Sequence, residues 1–289
     1  MEEAESRGRS VAAHAHGTRG IKTAIKSGVA SIEHASFIDE EGIKLALERG
    51  TALVMDIYVS DYILKKGIEL KSSGTTGPQK KIYQSPYKLR NANKVARECQ
   101  KITSKSKIYT ICKLEHAGGL LAQTLPGFEV GAHLEIENFN AYNFCKKIKN
   151  FTHTHITPNH GKALMLTKSF KKLDLTGIWI TCGSEPVEWE LIINFVKKGC
   201  KFMVNWGMTE IGPCAINTVF KDLDKVKDYK KRALEGTLMG DNVYCDTKIE
   251  KGTLHVKGDI SVFGNNWFDT RDRVKKNETN EFYIQGRLI

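Results

Sequence analysis

A segment rich in glycine and hydroxyl side chains, residues 71–80, has the composition of a phosphate-binding loop. Its sequence is Lys-Ser-Ser-Gly-Thr-Thr-Gly-Pro-Gln-Lys. The glycines allow backbone N–H groups to turn toward an anion, and the hydroxyls and lysine add further donors. The spacing of the common P-loop, in which lysine directly follows the second glycine, is absent. A flexible linker between two domains is the alternative interpretation.

Two loops farther along the chain combine glycine with polar side chains suited to a nucleotide. Residues 182–186 read Cys-Gly-Ser-Glu-Pro, and residues 204–212 read Val-Asn-Trp-Gly-Met-Thr-Glu-Ile-Gly. In the second loop Trp206 can stack on a base, Thr209 can donate to a phosphate, and Glu210 can bind magnesium. Each loop follows a predicted buried strand.

The elements that must position these loops alternate between strands and helices. Ser85 and Pro86 mark the start of a long basic helix that ends near Lys101. Predicted strands follow at residues 108–112, 132–137, 153–157 and 177–181, with helices at 141–149 and 158–168. This alternation predicts a doubly wound parallel sheet, which binds ligands at the carboxyl ends of its strands. Residues 243–250 and 252–257 instead alternate as an antiparallel hairpin, which predicts a small β subdomain near the C-terminus.

Together these motifs resemble those of the AMP-forming adenylating superfamily, which includes acyl-CoA synthetases, aryl-CoA ligases and peptide-synthetase adenylation domains. The resemblance covers residues 71–289 and also includes the segments Trp267–Asp272 and Phe282–Arg287. It implies attack of a carboxylate on the α-phosphate of ATP, which forms an acyl- or aryl-adenylate and pyrophosphate. The implied cofactors are ATP and magnesium, with coenzyme A or an acyl carrier as the acceptor.

The resemblance also assigns roles to individual residues. Catalysis would depend on Lys80, Thr209 and Glu210, and Glu210 would also bind magnesium. His116 and Gly119 would line the pocket for the carboxylic acid, although a plain glycine turn with a surface histidine is the alternative. The nucleotide would contact Ser72, Ser73, Gly74, Thr75, Thr76 and Gly77 at the phosphates, Gly183, Ser184, Glu185, Asn205, Trp206 and Gly207 at the adenine, and Asp272 and Arg287 at the ribose.

The sequence departs from the family pattern at two places. Arg271 stands directly before Asp272, where the family usually has glycine. One residue separates Pro78 from the lysine of the phosphate loop, whereas the family usually has proline directly before that lysine. The alternative interpretation of Asp272 is an ion pair with Arg271 or Arg273, which contributes little at an exposed surface.

Residues 1–70 have a different pattern, in which predicted strands run into histidines. The stretches His14-Ala-His-Gly17 and Ser31-Ile-Glu-His-Ala-Ser36 resemble the metal-dependent amidohydrolases, in particular the imidazolonepropionase-like and prolidase-like branch. The resemblance implies a partial (β/α) barrel in which His14 and His34 are metal ligands. Because a hydrolytic zinc needs three protein ligands and a water, we interpret these two histidines as vestigial ligands and expect no bound zinc.

The two resemblances predict a fusion of three parts. These are an amidohydrolase-like barrel fragment over residues 1–70, an ATP-binding α/β core over 71–240, and a β-rich subdomain over 241–289. In the adenylating family the last motif precedes a mobile C-terminal lid whose lysine stabilises the transition state, and this sequence stops at that hinge. We therefore expect the chain to bind ATP and magnesium but to adenylate poorly unless a separate lid is supplied. The alternatives are a non-catalytic nucleotide-binding remnant and a metal-dependent hydrolase fragment.

The composition is that of a basic globular protein. The chain has 289 residues, a hydrophobic content of 40%, a formal net charge of +11 and a pI near 9.2. No run approaches the roughly 18 apolar residues of a membrane span, so a cytoplasmic protein is expected. The basic charge suits an anionic nucleotide, and nucleic acid is the minor alternative because no basic motif is interleaved with aromatic residues. The cysteines are scattered as single residues, which favours reduced thiols, and Cys182 is interpreted as a core residue. His153 and His155 are interpreted as packing residues.

Overall fold

The computed structural model describes residues 2–35, 37–54, 59–72 and 79–288 of the chain. The chain divides into two compact units, Met1–Lys65 and Lys66–Ile289. The residues that lead into the glycine-rich segment therefore belong to the second unit. The three-part organisation expected from the sequence stays a prediction.

The first unit contains short strands that alternate with helices. Its elements are α1 (Glu2–Ser6), β1 (Ala12–Ala15), α2 (Thr18–Lys26), β2 (Ser31–His34), α3 (Glu40–Arg49), β3 (Ala52–Val54) and α4 (Val59–Lys66), of which the last ends just past the division. The strands pair in parallel in the order β1, β2, β3. Asp39 caps α3, and Gly50, with φ 64°, ends it.

Helices and strands alternate through most of the second unit. Its helices are α5 (Pro86–Gln100), α6 (Ala117–Gly119), α7 (Leu125–Glu129), α8 (Ala141–Lys147), α9 (Pro158–Met165), α10 (Lys168–Lys171), α11 (Trp189–Val196) and α12 (Leu223–Lys231). A π-helical turn, Leu120–Thr124, joins α6 to α7, and a 3-10 turn, Ile148–Asn150, follows α8. Ser85 caps α5 and Pro86 occupies its first turn, as the sequence predicts.

The strands of the second unit form a large sheet, a smaller sheet and a hairpin. They are β4 (Ile68–Lys71), β5 (Lys81–Gln84), β6 (Lys107–Thr110), β7 (His133–Ile136), β8 (His153–Ile156), β9 (Trp179–Cys182), β10 (Lys201–Met208), β11 (Gly212–Phe220), β12 (Thr237–Gly240), β13 (Asn242–Val243), β14 (Asp246–Glu250), β15 (Thr253–Lys257), β16 (Phe268–Lys276) and β17 (Phe282–Arg287). The large sheet has the order β13, β11, β10, β9, β8, β6, β7. The smaller sheet has the order β12, β17, β16, β15, β14, and β4 pairs with β5.

The core of the large sheet is parallel, which confirms the predicted α/β fold. The pairs β7–β6, β6–β8, β8–β9 and β9–β10 are parallel, whereas β10–β11 and β11–β13 are antiparallel. The sheet is therefore mixed rather than wholly parallel. Residues 209–211, the connection from β10 to β11, are too few for a crossover helix, so the chain must reverse direction there.

The predicted β subdomain is confirmed, but the strand predicted over residues 243–250 is wrong as a single element. It is divided between β13 of the large sheet and β14 of the smaller sheet. The backbone N–H of Tyr244 donates to the carbonyl of Ala215 at 2.9 Å, which holds the chain to the large sheet just before it leaves. The hairpin of β14 and β15 turns at Lys251 and Gly252, both with positive φ.

Apolar and aromatic side chains fill the space between the large sheet and its helices. This core includes Phe144, Phe195, Phe202 and the fully buried Cys182. Burial raises the pKa of the Cys182 thiol well above its usual value, which suits a packing residue rather than a nucleophile. All seven cysteines lie in the described residues as free thiols. No helix in the described ranges is long and apolar enough to cross a membrane.

Candidate functional site

The two ends of the predicted phosphate loop are bonded to each other. The Ser72 N–H donates to the Lys80 carbonyl at 2.8 Å, and the Lys80 N–H donates to the Ser72 Oγ at 2.9 Å. Ser72 and Lys80 therefore extend the antiparallel pairing of β4 with β5, which disfavours a linker between separate domains. The predicted phosphate contacts of Ser73, Gly74, Thr75, Thr76 and Gly77 lie outside the described residues.

The base of this hairpin contacts the histidine and glycine turn that was predicted to line the acid pocket. The Lys71 N–H donates to the Glu115 carbonyl at 3.1 Å, and the two side chains form an ion pair at 2.9 Å. This pairing lowers the pKa of Glu115. The Nδ1 of His116 lies 3.4 Å from the Lys71 carbonyl oxygen. The turn and the loop base, which are separated by helix α5 in the sequence, are therefore direct neighbours.

Two glycines allow this turn to fit closely against its surroundings. A methyl group on Gly119 would lie 2.1 Å from the carbonyl oxygen of Lys113. A methyl group on Gly118 would lie 2.9 Å from Ser184 Oγ and 3.0 Å from His155 Nε2. Gly118 therefore contacts the strand-end loop at 182–186, although the sequence pointed only to its neighbour Gly119.

A Gly119→Ala substitution is expected to destabilise the second unit by about 2 kcal/mol, because the methyl group has no space beside the Lys113 carbonyl. All four tryptophans lie in this unit, so urea unfolding followed by tryptophan fluorescence measures its stability. Gly131→Ala is the matched control, since Gly131 has φ 71° but nothing within 4 Å of the added methyl. We expect about 1 kcal/mol for the control. Equal losses for the two variants would contradict the predicted clash.

The two predicted walls of the adenine site meet at the ends of adjacent parallel strands. Cys182 of β9 pairs with Val204 of β10, which places the following residues side by side. A methyl group on Gly183 would lie 2.5 Å from the Asn205 carbonyl oxygen, so only glycine fits there. Asn205 is buried, and its Oδ1 makes no hydrogen bond within the described part of the chain.

Trp206, Asp272 and Arg287 form one cluster between the large and small sheets of the second unit. The indole Nε1 of Trp206 donates to Asp272 Oδ2 at 3.0 Å, and Arg287 Nε lies 3.3 Å from Asp272 Oδ1. Asp272 is only 4% exposed, and this burial raises its pKa, while Arg287 and the indole oppose the rise. The alternative of a surface ion pair with Arg271 or Arg273 is wrong, since the partner is Arg287. Arg271 has φ 60°, a backbone conformation that favours glycine.

The turn that carries Thr209 and Glu210 is held through its backbone. The Thr209 carbonyl accepts a hydrogen bond from Gln84 Nε2 at 3.0 Å, and the Glu210 carbonyl accepts one from the Val262 N–H at 2.8 Å. Thr209 is buried and Glu210 is partly exposed. The Glu210 side chain makes no hydrogen bond or ion pair with the described residues.

Sequence reasoning missed Lys88, which lies beside this turn. Lys88 is 1% exposed, and its Nζ donates to Gln84 Oε1 at 2.5 Å. Burial lowers the pKa of Lys88 to about 7, while attraction to Glu210 opposes the fall. The spacing along α5 was the available signal for its burial. Lys88, Ala92 and Ala96 are four residues apart, so they share one face of the helix, and both alanines are buried.

Several of the predicted site residues are thus linked in one set, through contacts or as neighbours along the chain. We call the connected set the strand-end belt; it comprises Lys71, Ser72, Lys80, His116, Gly118, Gly183, Ser184, Asn205, Trp206, Asp272 and Arg287. Its members come from the β4–β5 hairpin, from the ends of parallel strands and from the smaller sheet. Glu185 lies apart from these contacts and accepts a hydrogen bond from Asn159 Nδ2 at 3.0 Å.

Of the two histidines interpreted as packing residues, His153 behaves as predicted. Its Nε2 lies 3.0 Å from the Gln100 carbonyl oxygen, and its Nδ1 lies 2.7 Å from Thr152 Oγ1. His155 is also buried, but neither ring nitrogen makes a hydrogen bond of ordinary geometry with the described residues. Burial lowers the pKa of His155 to about 4, with a smaller contribution from His160.

The predicted metal ligands in the first unit contact each other. His14 Nδ1 lies 3.0 Å from His34 Nε2, and His16 stacks on the His34 ring with centroids 4.4 Å apart. Within the described residues, no group of three or more His, Cys, Asp or Glu side chains is placed to hold a metal ion. The predicted metal role of His14 and His34 therefore gains no support from the structure.

The second unit is an α/β domain in which loops at the carboxyl ends of parallel strands meet the smaller sheet. The sequence profile of the family described as AMP-binding enzyme matches residues 72–264 of this chain. The chain belongs to this family, which confirms the resemblance to the AMP-forming adenylating superfamily.

Three solved structures with a similar fold include a coenzyme A synthetase in complex with ATP and magnesium. The N-terminal domain of FACL13 from Mycobacterium tuberculosis has a TM-score of 0.65 at 15% identity, over 94% of this chain and 78% of that chain. O-succinylbenzoate coenzyme A synthetase (MenE) from Bacillus subtilis, in complex with ATP and magnesium, has a TM-score of 0.64 at 18% identity, over 92% and 61% of the two chains. ATP-bound MatB from Rhodopseudomonas palustris has a TM-score of 0.62 at 14% identity, over 99% and 71%. At these identities the similarity establishes the fold.

Two curated proteins are similar in sequence to parts of the chain. Acyl-CoA synthetase FUM10 from Gibberella moniliformis is 26% identical over 162 residues, which are 54% of this chain and 29% of that protein. Ochratoxinase from Aspergillus niger is 43% identical over 65 residues, which are 21% of this chain and 14% of that protein. The chain thus spans less than a third of either relative. The shorter match does not show that the first unit is an amidohydrolase fragment, which stays a hypothesis.

Proposed function

We propose that the second unit is a carboxylate-activating core that transfers AMP from ATP to a carboxylic acid. The carboxylate oxygen forms a bond to the α-phosphorus while the bond from that phosphorus to the bridging oxygen breaks, so pyrophosphate leaves. The strand-end belt is the observation that carries this proposal, because it joins motifs that are far apart in an AMP-binding sequence. The similarity to a synthetase in complex with ATP and magnesium supports the choice of nucleotide.

The ribose would bind at the cluster of Trp206, Asp272 and Arg287. Each oxygen of the Asp272 carboxylate faces one donor, Trp206 Nε1 on one side and Arg287 Nε on the other. A carboxylate has about four acceptor sites, so both oxygens can still accept a hydroxyl of the sugar. The two existing contacts hold the carboxylate in one orientation. The adenine would lie against the strand-end loops that carry Gly183 and Asn205, whose backbones pack directly against each other.

Glu210 fits the predicted magnesium ligand. Its carboxylate is partly exposed and makes no hydrogen bond or ion pair with the described residues, so its oxygens remain available to a cation that prefers oxygen ligands. Magnesium, when bound with ATP, would neutralise negative charge on the phosphates. Thr209 and Lys80 would donate to the same phosphates. The carboxylic acid would approach beside the turn of His116 and Gly119.

Magnesium-dependent exchange of labelled pyrophosphate into ATP tests the proposal. We expect purified full-length chain to catalyse exchange that depends on an added carboxylic acid, with a panel of aliphatic and aromatic acids as probes. Calorimetric titration with ATP and magnesium in the absence of acid measures nucleotide binding separately. The lid that the resemblance predicts stays a prediction, and a slow but acid-dependent exchange is sufficient for the proposal.

Two results would contradict this function in different ways. Binding of ATP with magnesium but no acid-dependent exchange would identify a nucleotide-binding protein that does not activate acids. Absence of ATP binding by a folded chain would refute the site itself.

A further inference from the structure

Lys88 is a buried cation without a buried anion beside it. Its side chain is 1% exposed on the first turn of α5, and within the described residues no carboxylate lies at ion-pair distance. Its Nζ instead donates to Gln84 Oε1 at 2.5 Å. Removing an ammonium group from water is unfavourable unless it is paired. A lysine at this position is therefore a poor choice for stability alone.

Gln84 connects this cation to the turn that carries Thr209 and Glu210. It is fully buried at the end of β5, and its Nε2 donates to the Thr209 carbonyl at 3.0 Å. Lys88 Nζ donates to the amide oxygen of Gln84, and in its protonated form it has no acceptor for the amide nitrogen. The amide nitrogen faces the opposite direction, toward Thr209. Protonated Lys88 thus favours the amide orientation that holds this turn.

The other end of the same turn also lies close to Lys88. A methyl group on Gly212 would be 3.7 Å from Lys88 Nζ, and Gly212 begins the strand β11 that follows the turn. Gly212 has φ 114°, a backbone conformation that side chains rarely adopt. The Lys88 amine thus reaches one end of residues 209–212 through Gln84 and lies close to the other end at Gly212.

We propose that Lys88, acting through Gln84, is a positioning residue that holds the Thr209–Glu210 turn for the complex of ATP and magnesium. The inference rests on the proposed function of the second unit. Lys88 bonds Gln84, and Gln84 in turn bonds the Thr209 carbonyl, so its effect would reach the turn through this amide. Its role differs from that of a structural residue because its removal should weaken nucleotide binding in protein that is still folded.

Calorimetric titration of ATP with magnesium into wild type, Lys88→Met and Gln84→Glu tests the inference. Gln84→Glu keeps an acceptor for Lys88 but removes the donor to the Thr209 carbonyl, so it disconnects the turn without leaving the ammonium unpaired. We expect either change to weaken the affinity by about tenfold. Lys94→Met is the matched control, because Lys94 is an exposed lysine on the same helix, and its affinity should equal that of wild type. Tryptophan fluorescence establishes the folded fraction of each variant.

The outcomes separate the inference from the proposed function. Wild-type affinity in folded Lys88→Met or in folded Gln84→Glu would overturn the inference and leave the proposed function intact. A folded wild-type chain that does not bind ATP with magnesium would overturn both. If Lys88→Met does not fold, Gln84→Glu alone decides the question, since it retains the partner of the buried cation.

Discussion

Replacement of Glu210 by glutamine is expected to reduce magnesium-dependent pyrophosphate exchange by on the order of a hundredfold, because a neutral amide cannot oppose the charge of the cation. The substitution preserves the size of the side chain. It also leaves the backbone bond from Val262 N–H to the Glu210 carbonyl in place. We therefore expect the variant to stay folded, with a loss of only about 1 kcal/mol in the free energy of unfolding because the charge of Glu210 attracts the buried Lys88.

The measurement is the exchange rate as a function of magnesium concentration. The variant should need far more magnesium than wild type to reach a given rate. Glu190→Gln is the control, since Glu190 is an exposed glutamate on α11 and the substitution removes the same charge. A variant at position 210 with the magnesium dependence of wild type would exclude Glu210 as the metal ligand.

Acidification from pH 7.5 to pH 4 is expected to destabilise the second unit, with about 3 kcal/mol of the loss due to His155. Its pKa is about 4 in the folded protein, below the usual 6.5 of an unfolded chain. The unfolded state therefore binds a proton first as the pH falls. The stability is fully present above pH 6.5 and is lost progressively toward pH 4. Burial is the physical reason, since neither ring nitrogen makes a hydrogen bond of ordinary geometry with the described residues that could stabilise the charged form.

Urea unfolding of wild type and His155→Leu at several pH values isolates this contribution. The difference in free energy of unfolding between the two proteins should shift by about 3 kcal/mol in favour of the variant from pH 7.5 to pH 4. The pKa values of His153 and His160 are also lowered by burial, so part of the acid sensitivity should remain in the variant. His133→Leu, at an exposed position, is the control. A constant difference across this pH range would show that His155 does not titrate as described.

Parts of the fold followed directly from local patterns. Ser85 followed by Pro86 predicted the start of α5, and the alternation of apolar strands with helices predicted the parallel core. The helix start depends on interactions within a few residues, namely a capped N–H and a proline compatible with the first turn. The reversal after β10 could not be foreseen in this way, because β11 is as apolar as a parallel strand. Its direction follows from the short connection at residues 209–211, which is known only once both strand ends are placed.

The candidate site was predicted by residue type but not by its contacts. Trp206 and Asp272 were each singled out, yet their hydrogen bond across two sheets was not expected, and Arg271 was offered as a partner where Arg287 is the partner observed. Gln84 and Lys88 were not considered at all. Their importance depends on burial, and a lysine in a basic helix is usually exposed.

By itself the amino-acid sequence determined the family of this chain and the chemical types of side chain available to bind a nucleotide. Short motifs carry that information because the binding properties of a glycine, a hydroxyl or a carboxylate depend mainly on the residue itself and its neighbours in the chain. Only the tertiary structure decided which of these groups meet, and it brought the segments near residues 72, 116, 184, 206 and 272 into one belt. It also placed a lysine beside the turn of Thr209 and Glu210, because burial and long-range hydrogen bonds arise from packing between distant segments.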